Sequence, residues 1–377
     1  MSTEQDTKID NTIGNQEVLL KFNAASTIAQ NALAHVVEHS KEGAKIIDLC
    51  KLGDEFIVDA TSKIFKDKKK MSKGIAFPTC ISLNNLACHV SPLESDPEAT
   101  IELKKGDLVK IELGAQIDGF PGLICHSFVV GASKEEPATG KNADTILAAH
   151  YAVEAAYRLL RPQNKNSQVT EIVQKVCEVY GTKPAEGMLS YQLEKDFPDN
   201  TKQIILNPND AQRSSFKTVA FEENEVYALV VVVSSGDGKL KESGLRTTVY
   251  KRTESSYQLK MKAARTVNSE IKKFGKFPFS LRALEDERNA RMGIVECARS
   301  GIVNKYDIVG EKQGEVVASF MYTVMVTPKG NVRTTTFPLD LDAYKSEKKI
   351  EDQELLKLLE TSVDKPKKVK KPKAPKA

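Results

Sequence analysis

The segment Glu225–Ser234, EVYALVVVVS, constrains the fold more than any other. Its apolar and β-branched side chains fall on both faces of an extended chain, so it reads as a strand buried inside a sheet. SSGDGK follows it as a turn. A second strand region runs from 75 to 130. There LVKIELGAQI alternates, and Gly114 and Gly119 punctuate it as in a hairpin or meander. Residues 315–326 return to strand. Helical spacing surrounds these runs. Val18, Phe22, Ala25, Ala29, Leu33 and Val36 recur at steps of three and four, which predicts an amphipathic helix over 17–40 with Gly43 as its stop. Further helices are expected over 54–65, over the Ala-rich 143–160 closed by Arg161 and Pro162, and over 168–180 after a Ser167 cap. Between 250 and 300 a helix with Leu259, Ala263, Val267, Ile271 and Phe274 on one face is expected, followed by a second helix pair in outline.

The 377 residues suffice for one large domain or two ordinary ones, and 40% hydrophobic with 28% charged residues is a globular balance. No run of about 18 apolar residues predicts a membrane span, and the polar start lacks a signal-peptide pattern, so the expected compartments are cytosol and nucleus. Cys50, Cys80, Cys88, Cys125, Cys177 and Cys297 form no C-x-x-C pair and read as buried thiols.

Charge is distributed unevenly. The formal net charge is +4, yet the tail from Lys365 carries seven lysines and no acid, which leaves −3 on the remainder. Lys365, Lys367, Lys368, Lys370 and Lys371 alternate with prolines, a composition that cannot build a core and reads as disordered. Two further basic clusters stand out. Lys63, Lys66, Lys68, Lys69, Lys70 and Lys73 face one Asp. Arg246, Lys251, Arg252, Lys260, Lys262, Arg265, Lys272, Lys273 and Lys276 face Glu254 and Glu270, with Tyr250, Tyr257 and Phe274 interleaved. A solvated charged face is the ordinary reading of any one lysine. Three clusters on an otherwise acidic body point to a polyanion, bound through its backbone and shape.

Two local patterns compete. His35, Glu38 and His39 spell H-x-x-E-H, with two histidines one helical turn apart as a metal requires, although a solvated helix end gives the same letters. Cys88–His89 and Cys125–His126 invite a Cys/His nucleophile reading, but no orienting residue is visible, and buried strand cysteines account for them.

The stretch Lys73–Pro92, KGIAFPTCISLNNLACHVSP, resembles the active-site approach of eukaryotic-type methionine aminopeptidases. SPLESDP, KIELG with IDGF, EGMLS, EVYALVV, RTTVYKR, LKMKAAR, FPFSLRALEDE and ARMGIVECA then follow in order and resemble the proliferation-associated or ErbB-receptor-binding protein family, which includes curved-DNA-binding members. The resemblance covers roughly 15–350. It implies an α/β pita-bread fold (α+β in its helix and strand layers) with a helical basic insert near 250–305, flanked by a disordered leader over 1–14 and, over 351–377, a helix end and the Lys/Pro tail. The enzymes of that resemblance use two His, two Asp and two Glu at a two-metal centre, the first His sitting beside it, and the carboxylates bridge the ions. On the matching positions stand His89, Glu112, Leu123, Tyr191, Val230 and Met321, so the resemblance implies a vestigial site with no metal, cofactor or catalysis. It also implies the large ribosomal subunit and ribosomal RNA as partners, in cytoplasm, nucleus and nucleolus, with a link to growth control. Two alternatives stay open: a nuclear DNA-binding or transcriptional co-regulator protein with signalling or transcription partners, and a residual aminopeptidase using His89 and Glu112.

Overall fold

The computed structural model describes residues 10–68, 70–196 and 201–363. Residues 1–9 of the leader, Lys69 and the tail with Lys365, Lys367, Lys368, Lys370 and Lys371 lie outside the described residues.

Two helices come first, α1 (Gln16–His39) and α2 (Ile46–Lys63), then a meander of β1 (Lys73–Leu83), β2 (Leu108–Ile117) and β3 (Phe120–Val129). A second helix pair, α3 (Gly140–Leu159) and α4 (Asn166–Val179), leads to β4 (Lys183–Pro184), β5 (Leu189–Gln192), β6 (Gln203–Ile205), the short α5 (Asp210–Ser215) and β7 (Val226–Ser234). After β8 (Lys241–Glu242) and β9 (Val249–Arg252) come α6 (Lys262–Glu270), β10 (Pro278–Ser280), α7 (Glu287–Arg299) and β11 (Val303–Tyr306). The chain then forms β12 (Val309–Gly310), β13 (Val317–Thr327), β14 (Gly330–Arg333) and α8 (Gln353–Glu360).

The main sheet has nine described strands in the order β1-β2-β3-β13-β7-β5-β6, with β14 beside β13 and β4 beside β7. Its strand pairs are antiparallel. Strand alternation decides what each face carries. Val109, Ile111 and Leu113 of β2 pack under α1 and α2. Leu229, Val231 and Val233 of β7, with Phe320, Tyr322 and Val324 of β13, pack under α3, α4 and α8. Both helix pairs therefore cover one face, and residues of opposite parity are delivered to the other, which carries the candidate site. The run 226–234 is buried on both faces for this reason.

Some boundaries differ from expectation. α2 begins at Ile46 rather than near 54, because Gly53 does not break it. A Cβ at Gly53 would overlap Thr79 Oγ1 of β1, so the glycine allows helix and strand to approach closely. α4 starts one residue before Ser167; Lys165 takes the cap position, its backbone N–H donating to Gln168 Oε1 at 2.7 Å.

The region 249–306 holds more than helices. β9, β10 and β11 form a separate three-stranded sheet against which α6 and α7 pack. Leu259 precedes α6, whose buried residues are Ala264 and Val267 rather than Ala263. The chain enters α6 extended, since the Glu296 carboxylate accepts from the backbone N–H groups of Lys260 (2.7 Å) and Met261 (2.9 Å). In place of a second helix pair, 278–300 forms β10, a single helical turn and α7. Arg282 in that turn ties the unit to the main body, donating to Asp54 Oδ2 at 2.7 Å and Ser91 Oγ at 2.6 Å.

Candidate functional site

Strand register sets up the first candidate site. Glu112 on β2 pairs with Cys125 on β3, Cys125 with Met321 on β13, and Met321 with Val230 on β7. One row thus crosses four adjacent strands on the face opposite the helices. His89 joins from the loop after β1, with φ of 67°, and lines a cavity of about 40 Å³ together with Glu112, Cys125, Val230 and Met321. That volume holds a few waters at most. Leu123 and Tyr191 belong to the same apolar cluster as Met321 and Val230 but stand beside the cavity, not in its lining.

Only two of the six positions, His89 and Glu112, carry atoms that readily ligate a divalent ion, and His89 is engaged otherwise. His89 Nδ1 donates to the Asp307 carbonyl at 2.9 Å and lies 3.4 Å from Cys88 Sγ. Its ring packs against Phe77 and Tyr306. Burial opposes its imidazolium, but the Cys88 sulfur, the Glu112 carboxylate and the Asp307 carbonyl hold it above the usual histidine range. Burial raises the Glu112 carboxyl, partly offset by His89. Leu123, Val230 and Met321 offer no oxygen or nitrogen, and burial drives the Tyr191 phenol far above its ordinary range. Two bridged metals, which need four carboxylates, do not fit this donor set.

Sequence reasoning missed Lys110. It lies two residues before Glu112 on the same face, so strand alternation alone could have placed it. It is 2% exposed, and its Nζ donates to the Asn84 carbonyl at 2.7 Å. Burial lowers its ammonium to about 7.

The Cys/His pairs separate. Cys125 and His126 are neighbours on a strand and therefore face opposite ways. Cys125 Sγ reaches the Ser319 carbonyl at 3.7 Å, whereas His126 packs against Phe337 and Phe320 and is lowered to about 3 by burial. All six cysteines are free and buried.

The second candidate site is the basic surface. Lys260 and Lys262 at the start of α6, and Lys272 beyond its end, are exposed and form no ion pair among the described residues. The rest of that cluster is used internally to varying degrees. Lys251 is buried on β9, 4% exposed, and does not belong to the surface. Arg265 folds back to donate to the Leu259 and Lys260 carbonyls at 3.1 and 2.6 Å. Arg246 pairs with Asp96 at 2.8 Å, Lys276 with Glu254 at 3.0 Å, and Lys273 donates to the Ala283 carbonyl. Arg252 is half-buried. Tyr257 is 53% exposed, but Tyr250 is core and Phe274 stacks on Phe279.

In the other cluster Lys66, Lys68 and Lys70 are exposed, Lys63 pairs with Asp59, and Lys73 donates to the Ile64 carbonyl. Lys68 and Lys70 line a shallow hollow with Lys21 and Asp118 at the β2–β3 turn. Asp118 pairs with Lys21 (2.7 Å) and Lys195 (4.0 Å). The neighbouring Asp196 abuts Gly119 of that turn, its backbone N–H donating to the Gly119 carbonyl at 2.7 Å. Lys21 and Lys195, distant in sequence, are the members that no local charge count could find.

The model for metallopeptidase family M24 matches residues 21–248. A curved DNA-binding protein of Schizosaccharomyces pombe is 45% identical over 100% of this chain and 99% of its own length. An ERBB-3 binding protein 1 of Arabidopsis thaliana is 44% identical over 90% of this chain and 84% of its own. Among solved structures, a thermophilic Arx1 superposes with a TM-score of 0.86 at 35% identity, covering 93% of this chain and all of that one. A methionine aminopeptidase from Thermotoga maritima, 16% identical, superposes at 0.58 over 88% of this chain and all of that one, which shows the shared pita-bread fold. The chain belongs to metallopeptidase family M24, in its proliferation-associated and ErbB-3-binding branch. The Schizosaccharomyces pombe and Arabidopsis thaliana relatives carry names of binding proteins. Among the described residues no helix is long and apolar enough to cross a membrane.

Proposed function

We propose that this protein is a non-catalytic binder of structured ribosomal RNA and of the large ribosomal subunit, active in ribosome biogenesis or at the nascent-chain exit and divided among cytoplasm, nucleus and nucleolus. The observation that carries this reading is the contrast between the two sites. Where the enzymes of the fold need bridging carboxylates, this chain sets Leu123, Val230 and Met321 in one apolar cluster. Lys260, Lys262 and Lys272 meanwhile stand exposed on a folded unit that Arg282 ties to the body. A folded unit can hold several charges against phosphates at once, and each contact adds salt-dependent affinity through counterion release. Exposed Tyr257 and Met261 offer apolar contact beside the charges. The family resemblance supplies the ribosome as the polyanion.

A second reading, a DNA-binding protein, is favoured by the name of the Schizosaccharomyces pombe relative. Salt titrations of the untagged protein against large ribosomal subunits, structured RNA and curved DNA separate the two. Preference for the subunit and RNA at moderate salt supports the first. Preference for curved DNA favours the second, and binding matched by an isolated Lys/Pro tail peptide refutes both.

A further inference from the structure

The end of α1 carries a cluster that neither candidate site uses. His35 and His39 lie one helical turn apart, with ring centroids 4.6 Å from each other, and Glu38 stands between them in sequence. One ligating atom of each residue lies within 4.8 Å of the other two. We propose that His35, Glu38 and His39 form a surface site for one divalent first-row transition ion, with Zn2+ the best-matched probe.

Three features beyond the spacing support this. First, His39 Nδ1 sits 2.8 Å from the His35 carbonyl oxygen. A carbonyl only accepts, so Nδ1 carries the proton and Nε2 keeps its lone pair for a metal, the tautomer selection that ligating histidines usually need from a neighbour. Second, the His35 ring is half-buried and leans on Phe56 of α2 at 5.3 Å between centroids, which limits the rotamers it must give up on binding. Third, Glu38 and His39 are exposed, so a metal can enter from solvent. Zn2+ bonds of about 2.0–2.2 Å place two ligands of a tetrahedral ion roughly 3.4 Å apart. The ligating atoms must close from within 4.8 Å to that spacing, and Glu38 has three side-chain torsions for it. Two imidazoles and one carboxylate leave the fourth position to water. The helix supplies the ligands in order, while Phe56 couples the site to α2, so a bound ion would clamp the last turn of α1 where the chain leaves toward α2. This site is distinct from the row around Glu112, which lies on the sheet face opposite α1.

The test uses tag-free full-length protein stripped of metal. Zn2+ is titrated by calorimetry, and Co2+ by absorption. The expected result is one ion per chain with a Kd on the order of micromolar, a Zn2+-dependent rise in Tm, and Co2+ bands of a nitrogen and oxygen site without sulfur charge transfer. H39A should weaken binding at least about tenfold and abolish the Tm rise, E38Q should weaken it less, and H89A should leave it unchanged. Apo H39A should melt where the apo wild type does, which separates lost ligation from lost folding. Binding unaltered by H39A, loss caused by H89A, sulfur-to-cobalt bands, or no binding by the wild type would each overturn the proposal.

Discussion

Lys110 gives the sharpest quantitative prediction. Its amine is buried on β2 with the Asn84 carbonyl as principal acceptor, and burial lowers it from 10.5 to about 7. Folding therefore penalises the charged form by about 3.5 pH units, or roughly 5 kcal/mol at 1.36 kcal/mol per unit. The sign is fixed by linkage. Between about pH 7 and 10.5 the unfolded chain holds a proton that the folded chain has released, so stability rises with pH across that window; below pH 7 both states hold it and the penalty is fully present. Lys110→Met removes the titrating group while roughly conserving its apolar stem. The Asn84 carbonyl is not orphaned, because the Val317 backbone N–H also donates to it at 2.9 Å. Allowing about 1–2 kcal/mol for the lost amine hydrogen bonds, K110M should stabilise the protein by about 3 kcal/mol at pH 6–7. The gain should vanish or reverse by pH 10. Urea unfolding of both proteins from pH 6 to 10 measures the difference and cancels every group they share. A difference that stays constant to within about 0.5 kcal/mol would refute the idea that a buried ammonium burdens the pocket.

Three other outcomes follow from the same geometry. Val230→Glu puts a second carboxylate into the lining of a cavity of about 40 Å³ and should destabilise by a few kcal/mol in urea melts; an unchanged midpoint would mean a wet, open pocket able to receive a peptide. Met-peptides with added Co2+, Mn2+ or Zn2+ should release no methionine, and turnover that disappears with His89→Ala would revive the residual-aminopeptidase reading. Deleting 365–377 should weaken polyanion binding and flatten its salt dependence without abolishing it, as filter binding over a salt series will show.

Periodicity revealed most of the elements, because the helices bury one stripe and the strands alternate or are wholly apolar. It failed where tertiary contacts override local signals. Gly53 looks like a helix break until Thr79 shows why a Cβ is excluded, and the start of α6 is set by Glu296, 35 residues after Met261. Glu112, Met321 and Val230 were legible only through resemblance, which pointed to Leu123 and not to Cys125 between them, since register across four strands is not a local property. Charge counting found the basic clusters but could not see that Lys251 is buried or that Arg265 is spent on backbone carbonyls, nor that Lys21 and Lys195 border Asp118.

The central claim is that the exposed lysines flanking α6 hold RNA phosphates. Because Arg265 is engaged internally, the variant that tests it is Lys260→Ala, Lys262→Ala and Lys272→Ala together. The measurement is the affinity for large ribosomal subunits over a salt series, wild type against variant, with tail and fold intact by circular dichroism. Each lost phosphate contact should lower the slope of log K against log salt by about 0.7–0.9, so the triple variant should lose roughly 2–3 units of slope and its binding at moderate salt. Equal affinity and equal slope in the two proteins would contradict the account.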